Sequence, residues 1–147
     1  MKHSKQRDII MQAVLDNPIH PTADQVYRIL RQDYPSLSLG TVYRNLNLLA
    51  SLGTLRKITV GGEADRFDGN ISEHLHMQCV ECGEISDLFT KSLAGLDRKV
   101  ARETGEKILS HTIIFNGRCK RCLDAQNAAT DASAVNSPDA SAFGHEV

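Results

Sequence analysis

No run of eighteen or more apolar residues occurs anywhere in these 147 residues, so no segment reads as a bilayer-spanning helix. The opening MKHSKQRDII also lacks the apolar core of a secretory leader, so neither export nor membrane association is expected, and the cytosol is the expected compartment. Cysteine is missing everywhere except in two C-x-x-C pairs, Cys79/Cys82 and Cys119/Cys122. In a reducing compartment that placement argues against a disulfide framework and for a bound metal. A general basic excess is missing too, since the formal net charge is -1. The charge is nonetheless uneven: residues 1–66 hold nine Lys/Arg against six Asp/Glu, and residues 67–147 hold eight against twelve. Only the front half has a balance suited to nucleic acid. What is there is a hydrophobic fraction of 41%, enough for a packed core in one domain or two small ones.

The front half reads as helices. SKQRDIIMQAVLDN starts at a candidate Ser4 cap, places Ile10, Ala13 and Val14 on one helical face, and stops at Asn17-Pro18. TADQVYRILRQ opens with Thr22 three residues before Gln25, a capping-box pattern, followed by Val26, Ile29 and Leu30 at helical spacing. LGTVYRNLNLLASLG follows Ser38 and ends at Gly53, with an apolar stripe of Leu39, Val42, Leu46 and Leu49 and a polar face opposite. LRKITV and EADRFD, joined by a glycine pair, form a wing-like hairpin. Three helices and a wing spell a winged helix-turn-helix over residues 1–68. In such a fold the third helix enters the major groove. Tyr43, Arg44 and Asn47 then suit contacts to bases or phosphates, although the same residues fit an ordinary solvated helix face.

The second half, residues 69–124, reads as a small α+β domain. HLHMQCV and EISDLF are strands around the first cysteine pair, SLAGLDRKVARETG is a helix, and KILSHTIIFNG is a third strand leading to the second pair. From Ala125 to Val147 there is no Lys or Arg and little beyond Ala, Ser, Asn and Asp, the composition of a disordered tail.

Four thiolates in two knuckles suit a tetrahedral structural zinc. The rival is a redox dithiol, which needs only one pair. With the four cysteines assigned, His74 and His76 need a separate account. Two residues apart on a strand, they project from the same face, and a symmetric hairpin register sets Asp87 across from His74. Two histidines and a carboxylate without sulfur suit iron(II), manganese(II) or zinc, unless they are simply half-exposed strand residues. Taken singly, His20 and Asp68 read as exposed loop residues.

HPTADQVY at 20–27, LGTVYRNLNLL at 39–49, RFD at 66–68, HLHMQCVECG at 74–83 and NGRCKRC at 116–122 occur in one order, and in that order the chain resembles the ferric uptake regulator family of metal-dependent bacterial repressors over residues 4–123. The resemblance implies a winged-helix reading domain, a dimerisation domain, a homodimer and an AT-rich inverted repeat in double-stranded DNA as target. It places a regulatory iron(II) or manganese(II) on His20, Asp68, His74, His76 and Asp87, and a structural zinc on Cys79, Cys82, Cys119 and Cys122. A further metal site of some relatives would need ligands around Glu73, Leu75, Ala94 and His111, of which Leu75 and Ala94 cannot ligate, so none is expected. Aspartate rather than glutamate at position 68 resembles the peroxide-responsive branch, in which iron promotes oxidation of a ligand histidine; His20 and His74 are the candidates. The expected function is a peroxide-sensing repressor rather than an enzyme. The alternatives are an iron-uptake or other metal sensor of the same family without peroxide chemistry, a non-haem iron enzyme and a zinc-stabilised thiol oxidoreductase.

Overall fold

The computed structural model describes residues 2–91 and 93–134. Helix α1 (Lys2–Leu15) begins before Ser4, so that residue lies inside the helix instead of capping it. Asn17 Nδ2 closes its end by donating to Ala13 O at 2.8 Å, and Pro18 cannot extend it. Helix α2 (Ala23–Leu30) carries the expected capping box: Gln25 N donates to Thr22 Oγ1 and Thr22 N donates to Gln25 Oε1. Helix α3 (Leu39–Ser51) is capped by Ser38. These three helices pack around Ile10, Val14, Val26, Val42 and Leu46, all essentially inaccessible to solvent. Burial of each such side chain contributes about 1.5–3 kcal/mol. Two expected core positions face out: Leu39 opens α3 beyond the packed turns, and Ile29 lies on the outer side of α2, where Ala23 takes the inner place.

Strands β1 (Arg56–Ile58) and β2 (Arg66–Asp68) pair antiparallel as the wing. Phe67, fully buried, anchors that wing in the helical core. The winged helix-turn-helix expected over the front half is therefore what forms.

The second sheet has the order β4-β3-β5, from β3 (Leu75–Cys79), β4 (Ile85–Leu88) and β5 (Ile114–Gly117). β4 is antiparallel to β3; β5 is parallel to it, reached through helix α4 (Leu96–Thr104). The third strand is shorter than the expected 107–117: only Ile114–Gly117 pairs with β3, opposite His76–Cys79. α4 likewise starts later than expected, after Gly95 in the left-handed conformation.

The composition of residues 125–147 pointed to a disordered tail, yet helix α5 (Lys120–Ala134) continues straight out of the second cysteine knuckle through its first ten residues. Alanine has the highest helix propensity, and the knuckle supplies a ready first turn, the costly part of a helix. Residues 135–147 lie outside the described residues.

Candidate metal centre

His20 precedes α2 in the segment that joins it to α1. Phe67 N donates to Pro21 O at 3.0 Å, and Thr22 makes a bridge with Arg66, so the segment is laid against β2 and brought beside Asp68. The backbone of His20 is left-handed, with φ 54°. For a non-glycine residue this costs on the order of 1 kcal/mol, and it persists only where surrounding contacts impose it. Arg66 Nη1 donates to His20 O at 3.3 Å, one of those contacts. Both His20 (4% exposed) and Asp68 (5%) are buried, which overturns their solitary reading as exposed loop residues. The reason is tertiary, since each is covered by the sheet of the other half.

The remaining three groups come from that sheet. His74 and His76 share a face as expected, but the register differs from the symmetric one: Asp87 stands opposite His76, not His74. The turn closes between Cys79 and Glu84, with Gly83 N donating to Cys79 O. Gly83 takes the left-handed conformation at φ 72° that suits a residue without Cβ. With both Cys82 and Gly83 in the loop the register moves by two residues, which leaves every side chain on its expected face.

The result is a cluster in which one ligand atom from each of His20, Asp68, His74, His76 and Asp87 lies within 4.8 Å of all the others. His20 Nε2 lies 2.7 Å from Asp87 Oδ1, and His74 Nε2 lies 3.0 Å from Asp68 Oδ2 and 3.2 Å from Asp87 Oδ1. His74 Nε2 and His76 Nε2 are 3.0 Å apart. His74 Nδ1 lies 2.8 Å from Ser72 O. A carbonyl only accepts, so Nδ1 carries the proton, and in the neutral ring Nε2 turns a lone pair toward the Asp68 carboxylate. A cation shared by all five groups would relieve that repulsion. Burial alone would raise the Asp68 pKa; hydrogen bonds from His76 and from Asn70 N, with the nearby His20 and His74, outweigh it and hold the carboxyl below its ordinary value. Nitrogen and oxygen donors without sulfur fit iron(II), manganese(II) or zinc.

The second cluster is Cys79, Cys82, Cys119 and Cys122. Cys82 Sγ and Cys119 Sγ are 3.8 Å apart, the edge of a tetrahedron with metal–sulfur bonds of about 2.3 Å. Val80 N donates to Gly117 O, joining the two knuckles. Cys119 N donates to Cys79 Sγ at 3.3 Å, and this amide hydrogen bond is the main reason the Cys79 thiol is pushed down to about 6. The Cys122 thiol is pushed up to about 12, chiefly by its hydrogen bond with Cys119. One sulfur ionises readily and another keeps its proton, as crowded thiols do before a divalent cation replaces their protons.

On the polar face of α3, Tyr43 and Arg44 are exposed. Asn47 has internal partners: its amide donates to Tyr43 O and accepts from Lys57 Nζ at 3.1 Å. Lys57 also pairs with Asp65 at 2.8 Å, a hydrogen bond that raises the lysine pKa and lowers that of the aspartate. His111 pairs with Asp97 at 2.6 Å. Sequence reasoning missed three neighbours of the five-residue cluster: the Ser72 carbonyl, Phe89 stacked on His74 with ring centroids 5.5 Å apart, and Arg56. A backbone acceptor leaves no mark in the sequence, and the other two are legible only once the strands are paired.

The sequence profile of the Ferric uptake regulator family matches residues 1–116. The Peroxide-responsive repressor PerR of Staphylococcus aureus is 34% identical over 119 residues, 81% of this chain and 80% of that protein. Among solved structures, the Campylobacter jejuni peroxide stress regulator is similar at TM-score 0.70 and 31% identity, covering 82% of this chain and 91% of that one. The ferric uptake regulator from Francisella tularensis, solved with iron, shares the fold at TM-score 0.68 and 23% identity, over 80% and 90% of the two chains. With this profile match and this fold, the chain belongs to the ferric uptake regulator family of metal-sensing transcriptional repressors, which are not enzymes.

Proposed function

We propose that this protein is a homodimeric, metal-dependent repressor that senses hydrogen peroxide. In this reading Cys79, Cys82, Cys119 and Cys122 hold a structural zinc, and His20, Asp68, His74, His76 and Asp87 hold iron(II) or manganese(II). Residues 1–68 read DNA through Tyr43, Arg44 and Asn47, residues 69–124 pair the two copies, and the target is an AT-rich inverted repeat in the cytosol. The observation that carries the reading is the convergence of five donors from both halves of the chain, four of them buried and Asp87 partly so. A group held by all five is bound more tightly when the halves are closed on each other, and only such differential affinity can shift the population toward one arrangement. In a dimer, closure sets the spacing of the two α3 helices, which must lie about one helical turn, roughly 34 Å, apart to read both half-sites.

Support for peroxide as the signal comes from Asp68 in the RFD segment and from the peroxide-responsive relatives. Bound iron(II) would activate peroxide for O–O cleavage without being consumed, because the two electrons that reduce the peroxide come from the ring. One peroxide oxygen would enter a ring C–H of His20 or His74, and the other would leave as water with the displaced hydrogen. The altered ring no longer presents the same nitrogen, the halves separate, and DNA is released. The test is peroxide titration of the iron-loaded and manganese-loaded protein, with DNA binding and peptide masses followed together. The expected result is DNA release and a gain of one oxygen on the His20 or His74 peptide with iron only. Iron-loaded protein that keeps both its DNA and its mass would instead make it a metal sensor without peroxide chemistry.

A further inference from the structure

The wing carries a residue whose partners lie at the five-residue cluster. Arg56, half-buried in β1, stands opposite Asp68 in the hairpin register. Its side chain is engaged by three backbone carbonyls. Nη1 donates to His74 O at 3.2 Å, and Nη2 donates to Ser72 O at 3.1 Å and Ile71 O at 3.3 Å. The Ser72 carbonyl is the same one that accepts from His74 Nδ1. One guanidinium therefore grips the segment that orients His74, while its own backbone is paired with the residue that supplies Asp68. Partners of this kind set the tautomer and ring orientation of a ligating histidine, and their loss typically weakens metal binding by about 10–100-fold. The planar fork of arginine reaches several carbonyls at once, which a lysine ammonium cannot do in the same geometry.

We propose that Arg56 is a positioning residue that couples occupancy of the five-residue cluster to the DNA-facing wing, by holding the 71–74 segment against β1. The inference rests on the proposed metal-dependent DNA binding and adds the element that transmits it. With His74 ligating a cation, its Nδ1–H would bind the Ser72 carbonyl more strongly, and Arg56, which holds the same carbonyl, would carry that change to the strand that begins the wing. Lys57, the next residue, already joins that strand to Asn47 of α3, so the path runs on to the reading helix.

The experiment uses the full zinc-containing chain and a duplex selected from a random pool by the manganese-loaded wild type. DNA dissociation constants are measured with and without manganese(II), at several salt concentrations. In Arg56→Ala the ratio of the two constants should fall about tenfold, with DNA affinity in the absence of manganese unchanged. Arg56→Lys should lose the ratio too, with the salt slope of wild type, because its charge is kept and only the fork is lost. Should Arg56→Ala lose zinc or helix content, the lysine variant decides. Equal loss with and without manganese, accompanied by a salt slope smaller by about one, would make Arg56 a plain phosphate contact and overturn the proposal. An unchanged ratio also overturns it while leaving the metal-dependent reading in place. A wild type indifferent to manganese brings down both.

Discussion

The two candidate metal centres are built in opposite ways. The four cysteines lie on two short knuckles held side by side by β3 and β5, so the centre closes entirely within the second half of the chain. The five-residue cluster draws His20 from the segment before α2, Asp68 from β2, and His74, His76 and Asp87 from the sheet. A centre confined to one half can only stabilise that half. A centre shared between halves stabilises one arrangement of them, which is what a sensor requires. Sulfur ligands and full coordination suit the first role, and exchangeable nitrogen and oxygen donors suit the second.

The largest expected effect separates the two at once. Cys119→Ser removes a sulfur from the first cluster, and a structural zinc contributes on the order of 10 kcal/mol of folding free energy. Loss of stoichiometric zinc and of protection against amide exchange in β3, β4 and β5 is expected, while α1 to α3 stay protected. Loss spread evenly over both halves would mean that the knuckles do not form a local unit. Next, Phe67→Ala empties a fully buried site beside Asp68 and should cost about 3–5 kcal/mol. A lower melting temperature of the helical half, with zinc content unchanged, is the measurement to make.

His20→Ala tests the shared cluster itself. Removing a ligand should weaken manganese binding by about 100-fold or more, at the upper end of what loss of a mere supporting partner costs, and abolish metal-dependent DNA binding with zinc intact. Manganese affinity equal to wild type would remove His20 from the centre. Smallest is Thr22→Ala, which deletes half of the capping box of α2 and should cost about 1 kcal/mol. The backbone bridge of residue 22 to Arg66 survives the substitution, so manganese affinity and zinc content should both stay unchanged.

These expectations also mark where sequence reasoning worked. The Thr22/Gln25 box, the Val42/Leu46/Leu49 stripe and the cysteine pairs are local patterns, and each reappears in its expected element. The facing of His74 and His76 follows from strand alternation alone. The register that sets Asp87 against His76 does not, because it depends on whether Cys82 and Gly83 belong to the turn. The helix over residues 120–134 was obscured by a composition typical of tails, and its start depends on the knuckle before it.

By itself the sequence determined the winged helix, the small sheet, the four paired cysteines and the shared face of His74 and His76, because periodicity, capping and C-x-x-C spacing act over a few residues. His20 and Asp68 entered the ligand set only through the family resemblance. Only the tertiary structure decided that His20 and Asp68 are buried and converge with the sheet histidines. That burial comes from long-range contacts: the Pro21 carbonyl receives the amide of Phe67, and a sheet from the other half covers both. No local pattern encodes such a meeting, since its free energy is released only when distant segments exclude water together.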